Sequence, residues 1–310
     1  MLQQGSSDNL NLTNSTAPSG VVLVAFGKPQ YYWAAYNLAY SIKRFNRDLP
    51  IALIADAKDR ALYYCHDLTE VIDVYVDLPE QHIYTNKKLD PGKAKVLLYD
   101  YLPFHYNLYL DVDAVCLKDL QPLIDQLIAN DAKYATRVVG EHTIDQGRDF
   151  KEMQWAWADS LWQHFGLTKS DKIYAINSSI QFIEKCDEAE AIFRTAADLY
   201  LNNPLPLSKL RMKWGGGQPD ELYFNVAFGK NKFKPYEIDV VCFQMSREFT
   251  YSQIEERFYL MSYYGGKGFT PTFYIEWLDR KLKAWMQQDG KQHKYFIHRI
   301  TDHKHADPKR

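Results

Sequence analysis

Residues 107–120, NLYLDVDAVCLKDL, leave the chain fewer options than any other stretch. Leu108, Tyr109 and Leu110 read as a buried strand, yet they run directly into Asp111 and Asp113, and apolar character returns at Ala114, Val115 and Leu117. Two carboxylates are thereby delivered at the end of an interior strand. In a parallel α/β sheet the carboxyl ends of the strands are where ligands bind. Alternate strand residues share a face, so Asp111 and Asp113 are expected to point the same way and offer hard oxygen ligands to Mn²⁺ or Mg²⁺. The customer for such a cation is a diphosphate. A pair of solvated turn aspartates is the competing reading, because Asp favours turns. The apolar sequence on both sides argues against it.

The segments around this stretch alternate between strand and helix periodicity. VVLVAF at 21–26 reads as a buried parallel strand ending at Gly27-Lys28-Pro29. Helical spacing follows over 31–45, then a strand at 49–55, a helix at 58–68 and a short strand at 71–76. Residues 79–89 read as a loop, and from Pro91 to about Pro103 as a helix with proline in its first turn, carrying Lys95. A helix at 120–130 and a strand at 132–139 precede an amphipathic helix at 149–165, capped by Asp149, in which Trp155, Trp157 and Trp162 read as packing. IYAINSSIQFI at 173–183 is a strand interrupted by Asn177-Ser178-Ser179, a polar break that needs hydrogen-bond partners, a ligand among them. After a helix at 188–200, RMKWGGGQPDELYFNVAF at 211–228 sets three glycines before Asp220, Glu221 and a helix start. This order predicts an α/β fold with a Rossmann-like, mostly parallel central sheet and helices on both faces.

Composition narrows the class further. At 310 residues, 46% hydrophobic and 25% charged, the chain is an ordinary globular one with a single large domain. Its 15% aromatic content suits a protein that handles sugars or bases as well as a packed core. Cys65, Cys116, Cys186 and Cys242 are far apart and read as buried thiols of a reducing compartment. No apolar run reaches membrane-span length, and the first residues lack a signal pattern, so the expectation is a cytoplasmic protein. The net charge is −2, but residues 265–310 carry ten Lys/Arg against five Asp/Glu, or +5, which leaves −7 for the rest. Such a basic end could meet an anionic membrane surface peripherally at its inner face, or an acidic glycan. There is no specific nucleic-acid signal.

With these pieces in order, the chain resembles GT-A glycosyltransferases, and most of all family 8, the retaining group. The similarity runs from about Val21 to Lys267, and its most specific part is LYLDVDAVCLKDLQPL. It implies a GT-A domain over 21–268, a disordered segment at 1–20 and a basic helical extension at 269–310. It also implies a nucleotide-sugar donor, UDP-linked, an acceptor that is a glycan, a lipid-linked sugar or a protein, and Mn²⁺ or Mg²⁺. Asp111 and Asp113 inherit the metal, with Asp111 and Val112 beside the nucleotide. Lys95 inherits the donor phosphates, and Ala25, Phe26, Gly27 and Tyr31 line the base pocket. Asn177 and Ser178 fall near the transferred sugar, Asp220 on its hydroxyls and Glu221 beneath the anomeric carbon. The family ends in an HxxGxxKPW block. Here SYYGGKG at 262–268 is the nearest match, with Ser262 at the His position and Lys267 as the phosphate contact. His298 is a candidate third metal ligand from elsewhere in the chain.

The resemblance implies transfer of a hexose with retention, Asp220 and Glu221 being the catalytic pair and Glu221 a candidate nucleophile or stabiliser of an oxocarbenium-like centre. Two other readings compete. One is a nucleotide-sugar or glycan-binding protein of the same fold without turnover. The other is a phosphatase of the haloacid dehalogenase type, whose nucleophile motif LYLDVDAV also fits. That family places the motif near the N-terminus and adds a GDxxxD, which this sequence lacks.

Overall fold

The computed structural model describes residues 18–143, 155–156, 158–168, 170–210, 218–242, 249–263 and 272–300, to which all structural statements below refer. The chain opens with β1 (Ser19–Val24), α1 (Pro29–Phe45) and β2 (Ile51–Ala55), and repeats the unit with α2 (Lys58–Tyr64) and β3 (Val74–Asp77). Then come α3 (Glu80–Ile83), a hairpin of β4 (Tyr84–Thr85) and β5 (Lys88–Leu89), α4 (Pro91–Val96), β6 (Tyr106–Leu110) and β7 (Ala114–Cys116). The next part holds α5 (Gln121–Ala129), β8 (Tyr134–His142), α6 (Ala158–Phe165), β9 (Ile173–Glu184), α7 (Asp187–Asn202) and α8 (Asp220–Lys230). It ends with β10 (Tyr236–Glu237), β11 (Val241–Cys242), α9 (Tyr251–Arg257), β12 (Leu260–Ser262), α10 (Thr272–Gln288) and α11 (Ile297–Ile300).

Seven strands form the central sheet in the order β10-β8-β9-β6-β1-β2-β3, while β11-β12-β7 form a small second sheet. Strands β6, β1, β2 and β3 pair in parallel, and β9 runs antiparallel to both β6 and β8. The apolar run of β1 follows from its two covered faces. Val21 and Leu23 enter a core shared with α1 and α10, whereas Val22 enters a second core shared with α4, α7 and α8. This is the expected mostly parallel α/β sheet with helices on both sides.

Three local differences from the sequence expectations have physical causes. Ser19 and Gly20, expected in the disordered segment, open β1 opposite Tyr106 and Asn107, with Phe104 packed where a side chain on Gly20 would go. Residues 79–89 are not a plain loop but α3 and a hairpin, turned by Asn86 and Lys87, both at positive φ. The helix expected over 149–165 spans Ala158–Phe165, because Ala156 is drawn into a bridge with Leu210 and Trp155 toward α8. The start of that expected helix lies outside the described residues.

The C-terminal helices share the main core. Tyr274, Ile275, Leu278, Leu282 and Met286 of α10 are buried at three- and four-residue spacing in the cluster that holds α1. Asn37 Nδ2 donates to Tyr295 O at 2.6 Å, and Arg44 pairs with Asp289 at 2.7 Å. Among the described residues, no helix is long and apolar enough to cross a membrane.

Candidate active site

The end of β6 sets the geometry. Tyr106–Leu110 is the last regular stretch, and Asp111-Val112-Asp113 forms a bend that leads to β7. The two aspartates therefore owe their placement to this bend and not to strand alternation. Its backbone is fixed from two sides, Asp111 N donating to Ser179 O and Tyr263 N to Asp113 O, both at 2.8 Å. Val112 is buried, and its carbonyl accepts from Tyr263 Oη at 3.4 Å.

Asp111 is held by two groups. Lys95 Nζ lies 2.8 Å from Oδ1 and 3.0 Å from Oδ2, and the buried Tyr109 hydroxyl donates to Oδ1. The same ammonium reaches Ser178 Oγ at 3.4 Å and Asp220 Oδ2 at 3.8 Å, and Ser178 Oγ donates to Asp220 Oδ2 at 2.6 Å. Burial works against the charge on Lys95, but Asp111 and Asp220 outweigh it and hold its pKa well above the ordinary lysine value. Among the described residues, no cation pairs directly with Asp113. Burial, with Asp111 next, pushes its carboxyl up from 3.8 to about 7. Tyr31, in the first turn of α1, has its hydroxyl raised by burial and then by the charge of Asp113.

Ser178 reaches this cluster because β9 bulges. Thr136 pairs with Gln181 while Arg137 pairs with Asn177, so residues 178–180 are surplus against β8. Thr136 Oγ1 lies 3.0 Å from Asn177 O and 2.9 Å from Ile180 O, and Asn177 Oδ1 accepts from Ser179 N at 3.1 Å. The polar break is thus satisfied by protein groups, and it aims Ser178 at the cleft. Helix α8 completes the arrangement from behind. Asn225 Oδ1 accepts from Ile176 N at 3.0 Å, and Glu221 Oε1 accepts from Ser178 N at 3.0 Å. Glu221 Oε2 accepts from the Trp155 indole. Glu221 is only 8% exposed, and burial followed by the neighbouring Asp220 raises its carboxyl from 4.5 to about 7. With both oxygens engaged and little exposure, it sits as a brace behind Ser178, whereas Asp220 faces Lys95 directly.

Ala25 and Phe26 are buried beyond β1, and Gly27 adopts φ +81° with its N–H donating to Asp56 Oδ2 at 3.2 Å. A Cβ on Gly27 would meet Leu89 of the hairpin at 2.6 Å, so the hairpin closes directly over this loop. Lys267 lies outside the described residues. Ser262 does lie next to the bend, since it pairs with Ala114 across β12 and β7, but it is 3% exposed. His298 is elsewhere. Its Nδ1 is 3.0 Å from Asp279, which His293 also approaches at 3.2 Å, so it ties α11 to α10.

Sequence reasoning passed over several positioning residues. Tyr109, among the last residues of β6 before the bend, reaches Asp111 although that residue lies past the strand. Asp90 was legible as the cap before Pro91-Gly92: it accepts from Lys93 N at 3.1 Å, from Thr85 Oγ1 at 2.7 Å and from Tyr200, tying α4 to the hairpin and α7. Trp155 gave no signal, since its contact with Glu221 is long-range.

Among the described residues, no group of three or more His, Cys, Asp or Glu side chains is arranged to hold a metal ion. The donors present still fit a hard cation of the Mg²⁺ or Mn²⁺ kind. Such ions are commonly held by one or two carboxylates plus substrate phosphates, and Asp113, half-buried on the bend, has its carboxyl raised by burial and then by the charge of Asp111.

A parallel sheet carrying an antiparallel strand beside its central strands, with an Asp-Val-Asp bend at the carboxyl edge, defines the GT-A fold of glycosyltransferases. Two solved structures, WbbM and GlyE, bear out the fold. The bifunctional glycosyltransferase WbbM superposes with a TM-score of 0.56 at 12% identity, over 90% of this chain and 53% of its own. The glycosyltransferase GlyE of Streptococcus pneumoniae TIGR4 gives 0.51 at 16% identity, over 89% of this chain and 65% of its own. The galactosyltransferase LgtC, in complex with donor and acceptor sugar analogs, gives 0.49 at 15% identity, over 79% and 87%. This chain thus spans about half of WbbM and under two thirds of GlyE. No family profile and no curated protein sequence matches it.

Proposed function

We propose that the chain transfers a hexose from a nucleotide sugar, UDP-linked, to an acceptor hydroxyl on a glycan, a lipid-linked sugar or a protein, with retention of configuration and dependence on Mn²⁺ or Mg²⁺. One observation carries the reading: Lys95, Asp111, Ser178 and Asp220 meet within hydrogen-bond and ion-pair distance beside the Asp111-Val112-Asp113 bend, at the sheet edge where such folds bind ligands. The structural neighbours WbbM and GlyE, both glycosyltransferases, support glycosyl transfer in general.

In this reading Ala25, Phe26, Gly27 and Tyr31 receive the base, and Asp111 and Asp113 hold the cation. When bound, the cation would neutralise charge on the departing diphosphate. Lys95 would face the same phosphates and add positive charge where negative charge develops, a role the resemblance also gives to Lys267. Asp220, steadied by Ser178, accepts hydrogen bonds from the donor sugar, and Asn177 stands on the neighbouring bulge. Glu221 acts through Ser178, which favours an acceptor arriving on the leaving-group face over a covalent intermediate on Glu221. Exposed Arg280 and Lys283 of α10 are the groups through which we propose peripheral contact with an anionic membrane at its cytoplasmic face, testable by co-sedimentation with anionic vesicles.

The test is a thermal-shift panel of UDP, GDP, CDP and ADP with their common sugar conjugates, with and without Mn²⁺, on wild type and Asp113→Asn. A ligand at a hundred times its dissociation constant adds about 2.7 kcal/mol of stability. Stabilisation by one diphosphate that needs Mn²⁺ and disappears in Asp113→Asn is expected. No response to any nucleotide would sink the reading. Binding without transfer or donor hydrolysis would instead favour the non-catalytic reading, to which the buried Ser262 at the third-ligand position lends its weight.

A further inference from the structure

Lys95 is the centre of charge in this cleft. Its ammonium spans both oxygens of Asp111 at 2.8 and 3.0 Å and stands 3.8 Å from Asp220, with Tyr109 adding a hydrogen bond to Asp111 and a ring face 5.5 Å from the ammonium. One of the two carboxylates assigned to the cation is therefore already neutralised by a fixed positive charge, and a divalent ion arriving there would meet that charge at close range. Among the described residues, Asp113 is the one of these two carboxylates that makes no direct ion pair. The adjoining position that could add a side-chain ligand, Ser262, is buried in β12. Two carboxylates, one of them shared with a lysine, make a poor resting site for a divalent cation, which needs about six oxygen ligands. A diphosphate changes the balance, because it supplies the missing oxygens and enough negative charge to engage both the cation and Lys95.

We propose that Lys95 holds the metal site weak until the donor's diphosphate arrives, so that the cation enters and leaves together with the nucleotide. This rests on the donor reading above and goes beyond it. Lys95 then has effects of opposite sign on the two ligands: it repels the lone cation and attracts the cation–diphosphate pair. No rearrangement of the fold is required, only a shift of the ammonium from carboxylate to phosphate oxygens that lie in the same cleft. Tyr109 keeps Asp111 oriented while that exchange occurs.

The test is Mn²⁺ binding followed by the loss of its free-ion electron paramagnetic resonance signal, with the whole chain as wild type, Lys95→Met and Lys95→Arg. Each protein is titrated with Mn²⁺ alone, and again with the diphosphate that the nucleotide panel selects, UDP on the present reading. The expected result for wild type is Mn²⁺ affinity at least about tenfold tighter with diphosphate than without it. In Lys95→Met the lone cation should bind at least about tenfold tighter than to wild type, since removal of a unit charge a few ångströms away is worth that much, while the diphosphate binds more weakly. Lys95→Arg, which keeps the charge, should behave as wild type toward Mn²⁺ alone. Wild type that binds Mn²⁺ equally well with and without diphosphate overturns the proposal without any variant, as does a folded Lys95→Met with unchanged affinity for Mn²⁺ alone. Wild type that binds no diphosphate at all would instead refute the donor reading, and this proposal with it.

Discussion

Glu221→Gln separates a brace from a reacting group and has a magnitude that follows from the geometry. Glutamine keeps the shape but has one carbonyl where the carboxylate had two acceptors, for Ser178 N at 3.0 Å and for the Trp155 indole. Losing one hydrogen bond costs about 1–2 kcal/mol. Against this stands the ionisation of the wild-type group, raised from 4.5 to about 7 chiefly by burial and then by Asp220. A raised folded value means that the contribution is fully present below 4.5 and is lost as pH climbs through about 7, because the unfolded chain releases the proton first. At about 1.4 kcal/mol per pH unit, the loss is about 3 kcal/mol by pH 8. The variant should therefore be less stable than wild type by about 1–2 kcal/mol at pH 4 and more stable by about 1–2 kcal/mol at pH 8. Urea unfolding of both proteins at the two pH values measures this, and the rise of Asp113 is common to both and cancels. A stability difference that stays constant with pH would refute the electrostatic argument. Transfer by Glu221→Gln within about tenfold of wild type is expected of a brace, whereas a loss of roughly a hundredfold, about 2.7 kcal/mol, in a stably folded variant would return Glu221 to the reacting centre.

Three further outcomes follow from single contacts. Gly27→Ala places a methyl where Leu89 stands at 2.6 Å and at φ +81°, so it should cost about 1–3 kcal/mol in unfolding free energy and weaken nucleotide binding, as calorimetry would show. Tyr109→Phe removes a buried donor to Asp111 but leaves Lys95 in place, and should lower affinity for the cation–diphosphate pair by about tenfold in the thermal-shift panel. For Asp279, burial opposes its charge, but hydrogen bonds from His293, His298 and the Ile297 N–H hold its carboxyl below the ordinary value of 3.8. Its contribution is present above that value and lost as pH falls through the depressed one. Asp279→Asn should cost about 2–4 kcal/mol at pH 7, with the gap closing in acid, and should leave Mn²⁺-dependent nucleotide stabilisation unchanged.

What the sequence made legible is what local pattern controls. β1 and β2 read as buried strands because both of their faces are covered, and the Asp pair stood out because an apolar strand led into it. Pro91 marked the start of α4, so Lys95 could be placed on a helix next to the motif. The misread stretches were those decided by distant partners. Residues 84–89 carry no strong strand signal, and become a hairpin through a turn with two positive-φ residues and a seat over Gly27. The segment before α6 looks like amphipathic helix, but Trp155 and Ala156 are claimed by Glu221 and Leu210, which lie more than fifty residues away.

The same distinction governs the site. Sequence could name Asp111, Ser178, Asp220 and Glu221 as polar residues at suspicious positions, but not say which of the two adjacent acids faces the cleft. Helix geometry separates neighbours by about 100°, so only one of the pair at the start of α8 can turn toward Lys95 while the other turns inward. The bulge in β9 decides the matter. By carrying Ser178 toward Asp220 it turns the Ser178 N–H toward Glu221, and a buried carboxylate becomes the acceptor for a backbone group that the disrupted ladder would have left unpaired. An unpaired buried N–H costs more than a hydrogen bond yields. The acid next to Asp220 is therefore needed by the strand as much as by any substrate, and a Ser178 substitution that alters the bulge should disturb Asp220 and Lys95 together.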